Sequence, residues 1–266
     1  MRVSIEENPR GSGFLYGLYQ KRLRRELAVD ALPHHVAMII DGNRRWAKQR
    51  LLGTAAHGHR AGAAKMREFL VWCDDVGIKV VTLYLLSTDN LTSRNKDELD
   101  ELVEIIAELA GALSHFRDWR IKHVGSDLGL PPALVTALDE AEERTAGHTG
   151  LHVNLAVGYG GRTEIADAVR ALAEDVAAGR LKPSGITEKS IQRHLYTAAL
   201  PDVDLFVRSS GEQRTSNFLL WQSAYAEMVF LDTLWPDFSR VDLWHAIEIY
   251  AGRARRFGGA VDAPQA

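Results

Sequence analysis

The feature that most constrains this chain is a repeated one: apolar runs of strand length stop abruptly in a polar cluster, and stretches of helical period separate them. Residues 36–40 stop at Asp41-Gly42, residues 79–86 at Ser87-Thr88-Asp89-Asn90, residues 151–157 at Gly158-Tyr-Gly-Gly-Arg162, and residues 205–207 at Arg208. Residues 120–124 and 228–231 bring the count to about six. Helices are predicted at 61–76, from 97 through 113, and at 132–143, 163–178, 187–196, 218–226 and 240–256, with 53–59 read as a small-residue loop. Strands that read as continuous apolar runs are buried on both faces, and strands alternating with helices pair in parallel. The expectation is a single α/β domain of about six mostly parallel strands flanked by helices.

The domain is expected to run from 31 to 260. Residues 1–30 read as a tail followed by a basic amphipathic helix at 14–27, and 261–266 as a disordered tail. Such a helix suits peripheral contact with an anionic membrane, although docking on the protein's own core explains it as well. No apolar run nears the roughly 20 residues needed to span a bilayer, and the N-terminus lacks a signal-peptide core, so a cytoplasmic location is expected. A net charge of -3 gives no overall case for nucleic acid, so any anion site must be local. Cys73 is the single cysteine and reads as a buried small residue.

In open α/β sheets ligands bind beyond the carboxyl ends of the strands, which is where the polar clusters fall. Gly42 lets backbone approach a ligand, Asn43 and nearby amides donate hydrogen bonds, and Arg44 and Arg45 add positive charge, a pattern suited to phosphate. Asp41 beside a phosphate is repulsive unless a cation such as Mg²⁺ lies between them. Arg208, Arg214, Thr215 and Ser216 make a second anion site, because guanidinium matches phosphate oxygens with a bidentate fork. Two such sites and two isolated acids, Asp41 and Glu227, point to two phosphorylated substrates handled with a divalent cation. Asp41 is read as serving the metal and not the core, so its removal is expected to leave the fold intact. There is no Gly-x-x-x-x-Gly-Lys-Ser/Thr loop, no His-Glu-x-x-His and no Asp-Asp-x-x-Asp, and His57 and His59 lack further ligands at metal-binding spacing.

These residues resemble the cis-prenyltransferases, the Z-isoprenyl or undecaprenyl diphosphate synthases. The likeness runs from about His35 to Gly259. It covers His35-Val-Ala-x-x-x-Asp-Gly-Asn-x-Arg-Trp-Ala, Gly58-His-x-Ala-Gly, Leu83-Tyr-x-x-Ser-x-x-Asn, Asn154-x-Ala-x-x-Tyr-Gly-Gly-Arg, Arg208-x-x-Gly-Glu-x-Arg-x-Ser-Asn-Phe-Leu-Leu-Trp-Gln, Leu234-Trp-Pro-Asp-Phe and Arg256-Phe-Gly-Gly. The resemblance implies the cis-prenyltransferase fold and condensation of isopentenyl diphosphate with an allylic diphosphate, with release of pyrophosphate. It implies an allylic diphosphate on Gly42, Asn43, Arg44, Arg45, Trp46 and His59, isopentenyl diphosphate on Arg208, Arg214, Thr215 and Ser216, and Mg²⁺ on Asp41 with Glu227. Asn90 takes the family's proton-relay position, with Ser87, Thr88 and Asp89 beside it. A homodimer is implied by the C-terminal Arg256-Phe-Gly segment.

The chain also departs from the pattern. Arg44 stands where most relatives have glycine, Asp89 replaces a usual glutamate, and Ala55 stands where an allylic-phosphate arginine is expected. Arg94 is taken to replace an arginine usually one position earlier, where Ser93 stands. Leu85 in Tyr84-Leu-Leu-Ser-Thr resembles the short-chain Z-farnesyl diphosphate synthases, since long-chain relatives keep a small residue there. That implies (2Z,6E)-farnesyl diphosphate from a geranyl primer. The alternatives are a long-chain decaprenyl or undecaprenyl diphosphate synthase, a non-catalytic partner subunit, or Leu85 simply packing in the core on the other strand face.

Overall fold

The structure, a computed structural model, describes residues 32–51 and 54–253. The strands are β1 (His35–Ile39), β2 (Val80–Ser87), β3 (Arg120–Val124), β4 (His152–Tyr159), β5 (Leu205–Arg208) and β6 (Glu227–Phe230). The helices are α1 (Asn43–Gln49), α2 (Ala55–Val76), α3 (Thr88–Ser93), α4 (Lys96–Ser114), α5 (Pro132–Arg144), α6 (Gly161–Ala177), α7 (Glu188–Gln192) and α8 (Arg240–Gly252). The six strands form one sheet in the order β3-β4-β2-β1-β5-β6, and every pairing is parallel. The predicted 14–27 helix lies outside the described residues. None of the described helices is long and apolar enough to cross a membrane.

β1 is the pivot of this topology. Its residues are buried throughout, β2 pairs on one side and β5 on the other, so both anion-type clusters leave neighbouring strands at the same end of the sheet. One face carries Val36, Met38, Leu83 and Val207 beneath Met66, Phe69 and Leu70 of α2, Leu102, Ile106 and Leu109 of α4, and Leu243 and Ile247 of α8. The other carries Ala37, Ile39, Ala156 and Phe206 beneath Leu200, Val203, Phe218 and Leu219.

Three local expectations are corrected. Residues 218–226 form turns and no helix, because Ser216, Asn217 and Leu219 hold positive φ (49°, 62° and 46°), and Phe218 instead stacks on Tyr84 at 4.4 Å. The supposed loop before residue 61 is the first turns of α2. Its small residues serve packing: a Cβ on Gly58 would sit 2.1 Å from the Asn43 carbonyl oxygen, and one on Gly62 2.6 Å from Asn43 Oδ1. Finally, Thr88 to Ser93 close into a short helix capped by Ser87, whose Oγ accepts the Asn90 amide at 3.0 Å.

Candidate active site

Beyond β1 the chain turns through Gly42 at φ +102°, which caps α1 and leaves no room for a side chain: a Cβ would meet Leu234 Cδ2 at 2.9 Å. Asp41 Oδ1 accepts the Gly42 amide at 2.7 Å, and Oδ2 accepts Arg208 Nη2 at 2.7 Å. Burial pushes this carboxyl up, but the hydrogen bonds and charge of Arg208 outweigh it and hold Asp41 ionised, below its ordinary value. Arg208 is 4% exposed, and its Nη1 donates to Arg214 O and to Ser216 Oγ, both at 2.7 Å. The Asp41–Arg208 pair therefore joins the two clusters into one crevice.

The allylic side gathers Arg44, Arg94 and His59. Arg94 Nη1 donates to Glu98 at 3.0 Å, and Arg44 holds the same carboxylate with Nε and Nη2 at 2.6 and 2.5 Å. His59 is buried, and burial, reinforced by the Arg94 charge, lowers its pKa to about 4, so the ring is neutral at physiological pH. Arg45 Nη2 donates to Ser210 O at 3.0 Å, and Trp46 faces Arg50 across its ring at 4.6 Å. Asn43 Oδ1, Trp46 Nε1, His59 Nδ1, Arg94 Nε and Arg208 Nε are all buried without a hydrogen-bond partner. Native proteins leave few such atoms; the Arg94 Nε and Arg208 Nε donors suit an anionic ligand, whereas Asn43 Oδ1 is an acceptor and calls for a donor such as water.

On the second side Arg214 is an exposed side chain paired with Glu212, Ser216 is exposed and Thr215 half-buried. Asn90 and Asp89 sit on α3 at the end of β2, and Thr88 lies against Gly160, where a Cβ would be 2.6 Å from Thr88 Oγ1. Asn217, which sequence reasoning passed over, pins this loop by accepting the Gly161 amide on its carbonyl at 2.7 Å and the Arg162 amide on Oδ1 at 2.9 Å. Beneath lies buried Glu164, pushed up in pKa by burial and taking hydrogen bonds from Tyr159 and Gln222. Glu98 and Glu164 gave no sequence signal, because Arg44 and Gln222, the partners that tie them into the crevice, lie far along the chain.

Glu227 is not brought to Asp41 within the chain. The register aligns Glu227 with Leu205 and Leu205 with Val36, at the amino end of the sheet, and its carboxylate takes Arg253 Nη1 at 2.6 Å. Asp41 lies beyond the other end, on the order of 16 Å further along at about 3.3 Å per residue. Within one protomer, therefore, Glu227 and Asp41 do not meet. Among the described residues no group of three or more acids, histidines or cysteines gathers to hold a metal. Asp41 alone fits Mg²⁺, which is commonly bound by one or two carboxylates with substrate phosphates and water.

Beside the cradle a narrow cavity of about 50 Å³ opens between β2, α2 and α4. Asn43, His59 and Arg94 stand at its polar end, and Met66, Leu85, Leu102, Ile105, Ile106 and Leu109 line the rest. Leu85 reaches it through a bulge. Tyr84 pairs with Ala156 and Leu86 with Val157, so Leu85 is the extra residue, turned with Leu86 toward the α2–α4 side while Tyr84 faces Phe218.

Comparison with known proteins agrees with this arrangement. The undecaprenyl diphosphate synthase family profile matches residues 39–258. Isoprenyl transferase 1 of Corynebacterium diphtheriae is 47% identical over 248 residues, covering 91% of this chain and 93% of that protein. A trans,polycis-polyprenyl diphosphate synthase of Thermobifida fusca, described as (2Z,6E)-farnesyl diphosphate specific, is 48% identical over 243 residues, covering 90% and 85%. The structure of lavandulyl diphosphate synthase from Lavandula x intermedia, in complex with dimethylallyl diphosphate, superposes with a TM-score of 0.82 at 37% identity, over 86% of this chain and 99% of that one. The fold, the paired clusters and these relatives lead to one conclusion: the chain belongs to the undecaprenyl diphosphate synthase family of cis-prenyltransferases.

Proposed function

We propose that this cis-prenyltransferase joins one isopentenyl diphosphate to geranyl diphosphate in Z configuration, giving (2Z,6E)-farnesyl diphosphate. The observation that carries the reading is Leu85, set by the β2 bulge on the wall of an apolar cavity that begins at Asn43, His59 and Arg94. At about 50 Å³ the cavity is smaller than a geranyl tail, so any primer must widen it, and Leu85 stands on the wall that has to move. The name of the Thermobifida relative pairs the (2Z,6E)-farnesyl unit with a polyprenyl product, so it supports both this reading and its long-chain alternative.

The allylic diphosphate sits over Gly42, Asn43, Arg44, Arg45, His59 and Arg94, and the isopentenyl diphosphate over Arg208, Arg214 and Ser216. The arginines hold both diphosphates and stabilise charge developing on the departing pyrophosphate. Mg²⁺, when bound on Asp41, would add charge neutralisation there. Proton loss after attack falls to the Asn90 corner. An amide is a poor base, so Asn90 orients water or a phosphate oxygen, with Ser87 beside it. A homodimer is part of the proposal: β6 is the sheet edge, with Met228 and Phe230 half-buried and Tyr225 exposed beside it, and light scattering at assay concentration tests it.

The deciding experiment is incubation with Mg²⁺, isopentenyl diphosphate and dimethylallyl, geranyl or farnesyl diphosphate, followed by chromatography of the dephosphorylated products. A C15 product from geranyl diphosphate is expected, lengthened by Leu85→Ala. A wild-type ladder to C50 would overturn the chain-length reading, and no product with any primer would overturn the activity.

A further inference from the structure

Glu98 places an acid inside the allylic half of the crevice. It is 15% exposed and fixed in the first turn of α4, where its amide donates to Asn95 Oδ1 at 2.8 Å. Arg44 grips both carboxylate oxygens, Arg94 Nη1 reaches Oε1 at 3.0 Å, and His59 Nε2 stands 3.8 Å from Oε1. A carboxylate at the focus of two guanidiniums and an imidazole occupies the kind of place a phosphate would take. The bidentate fork of Arg44 is the same fork that grips phosphate, and here it is spent on Glu98. The groups around it are not all satisfied by that carboxylate: Arg94 Nε and His59 Nδ1 remain buried and unpartnered. Arg44 is half exposed at 54% and anchored to Glu98, so it can swing without unpacking the core.

We propose that Glu98 is an internal stand-in for the allylic diphosphate, a positioning residue that holds Arg44 and Arg94 at the cradle and yields Arg44 to the incoming diphosphate. Before a diphosphate binds, Glu98 keeps together two like-charged guanidiniums that otherwise repel. When a diphosphate enters, its greater charge draws the Arg44 fork away, and Glu98 keeps Arg94 alone. Exchange of one anion for another lowers affinity for the allylic diphosphate and hastens pyrophosphate release, at the same residue. The inference deepens the prenyl-transfer reading and rests on it for the identity of the ligand.

The test measures binding, which separates it from the test of activity. Calorimetry with inorganic pyrophosphate and with unreactive geranyl thiolodiphosphate is run on wild type, Glu98→Gln, Arg44→Gln and the double variant. Glu98→Gln is expected to bind both probes roughly three- to tenfold more tightly, the size of one partly screened charge-assisted contact. That gain should vanish in the Arg44→Gln background, because no fork is left to release. A gain that persists there reduces Glu98 to a field effect and overturns the proposal, as does unchanged or weaker binding. Glu98→Ala, with the same expected direction, serves if the glutamine variant does not fold. Wild type that binds neither probe would overturn the diphosphate reading of the crevice itself, whereas binding without an Arg44-dependent gain overturns only the role of Glu98.

Discussion

Removing Asp41 should cost stability as well as turnover, contrary to what its place at a strand end suggests. Its carboxylate is the charged partner of Arg208, which is 4% exposed while Asp41 is 31% exposed. Breaking a fully buried ion pair by deleting one member costs about 3 to 5 kcal/mol, because the survivor stays desolvated. Here Arg208 keeps two acceptors, Arg214 O and Ser216 Oγ, and water reaches the Asp41 side, so Asp41→Ala should cost about 2 to 4 kcal/mol. For a domain of this size, at roughly 2 to 4 °C per kcal/mol, the melting temperature should fall by about 4 to 16 °C. Asp41→Asn keeps an acceptor beside Arg208 and should lose about half as much.

The pH dependence supplies a second check. Asp41 titrates below its ordinary 3.8 in the folded chain, so the unfolded chain takes up the proton first on acidification. The contribution of the pair is therefore complete above about pH 4 to 5 and lost as pH falls through the folded value, where wild type and Asp41→Asn should converge. Urea unfolding followed by circular dichroism from pH 7 down to 3 measures both effects. Asp41→Ala melting within about 1 °C of wild type at pH 7 would refute the reasoning.

Two further variants probe the same site and the sheet beneath it. Arg214 is exposed, so Arg214→Ala should leave melting unchanged and raise KM for isopentenyl diphosphate by about ten- to a hundredfold, the loss of a charge-assisted bond; a rise confined to the allylic substrate would reverse the two subsites. His35, fully buried between Pro201 O and Thr82 Oγ1, is lowered by burial to about 4. Its neutral form is what the fold accepts, so its contribution is whole above pH 6.5 and lost between 6.5 and about 4, by about 3 kcal/mol at most; stability of wild type that stays flat across this range by urea titration would exclude it.

Much of the sheet is legible in the sequence because parallel strands buried on both faces leave a simple trace. Residues 120–124 are both the predicted strand and β3, and the other five strands shift by only one or two residues at an end. The misreadings come where tertiary contact overrides local pattern. Phe218 and Leu219 are apolar enough for a helix, yet the backbone reverses at Ser216, Asn217 and Leu219 so that Phe218 can fill the space between Tyr84, Tyr159 and Phe206. Gly58 looks like a loop residue, yet it lies in α2, where Asn43 presses against a helix with no side chain at Gly58 or Gly62.

The site divides the same way. Asp41, Asn43 and Arg208 are visible because each stands at or just past a strand's carboxyl end, and the parallel topology sends β1 and β5 to a common edge, where Arg208 draws in Ser216 from the following loop. Glu227 starts its strand and so lies at the opposite edge of the sheet within the protomer. Glu98 is invisible in a different way. Its carboxylate is one of several in an acidic, helical run, and only the packing of α4 against the start of α2 and the cradle gives it Arg44 and His59 as neighbours. Motif reading recovers residues whose position along a strand sets their place in the fold, whereas the balance of charge inside the crevice is written by contacts between distant helices.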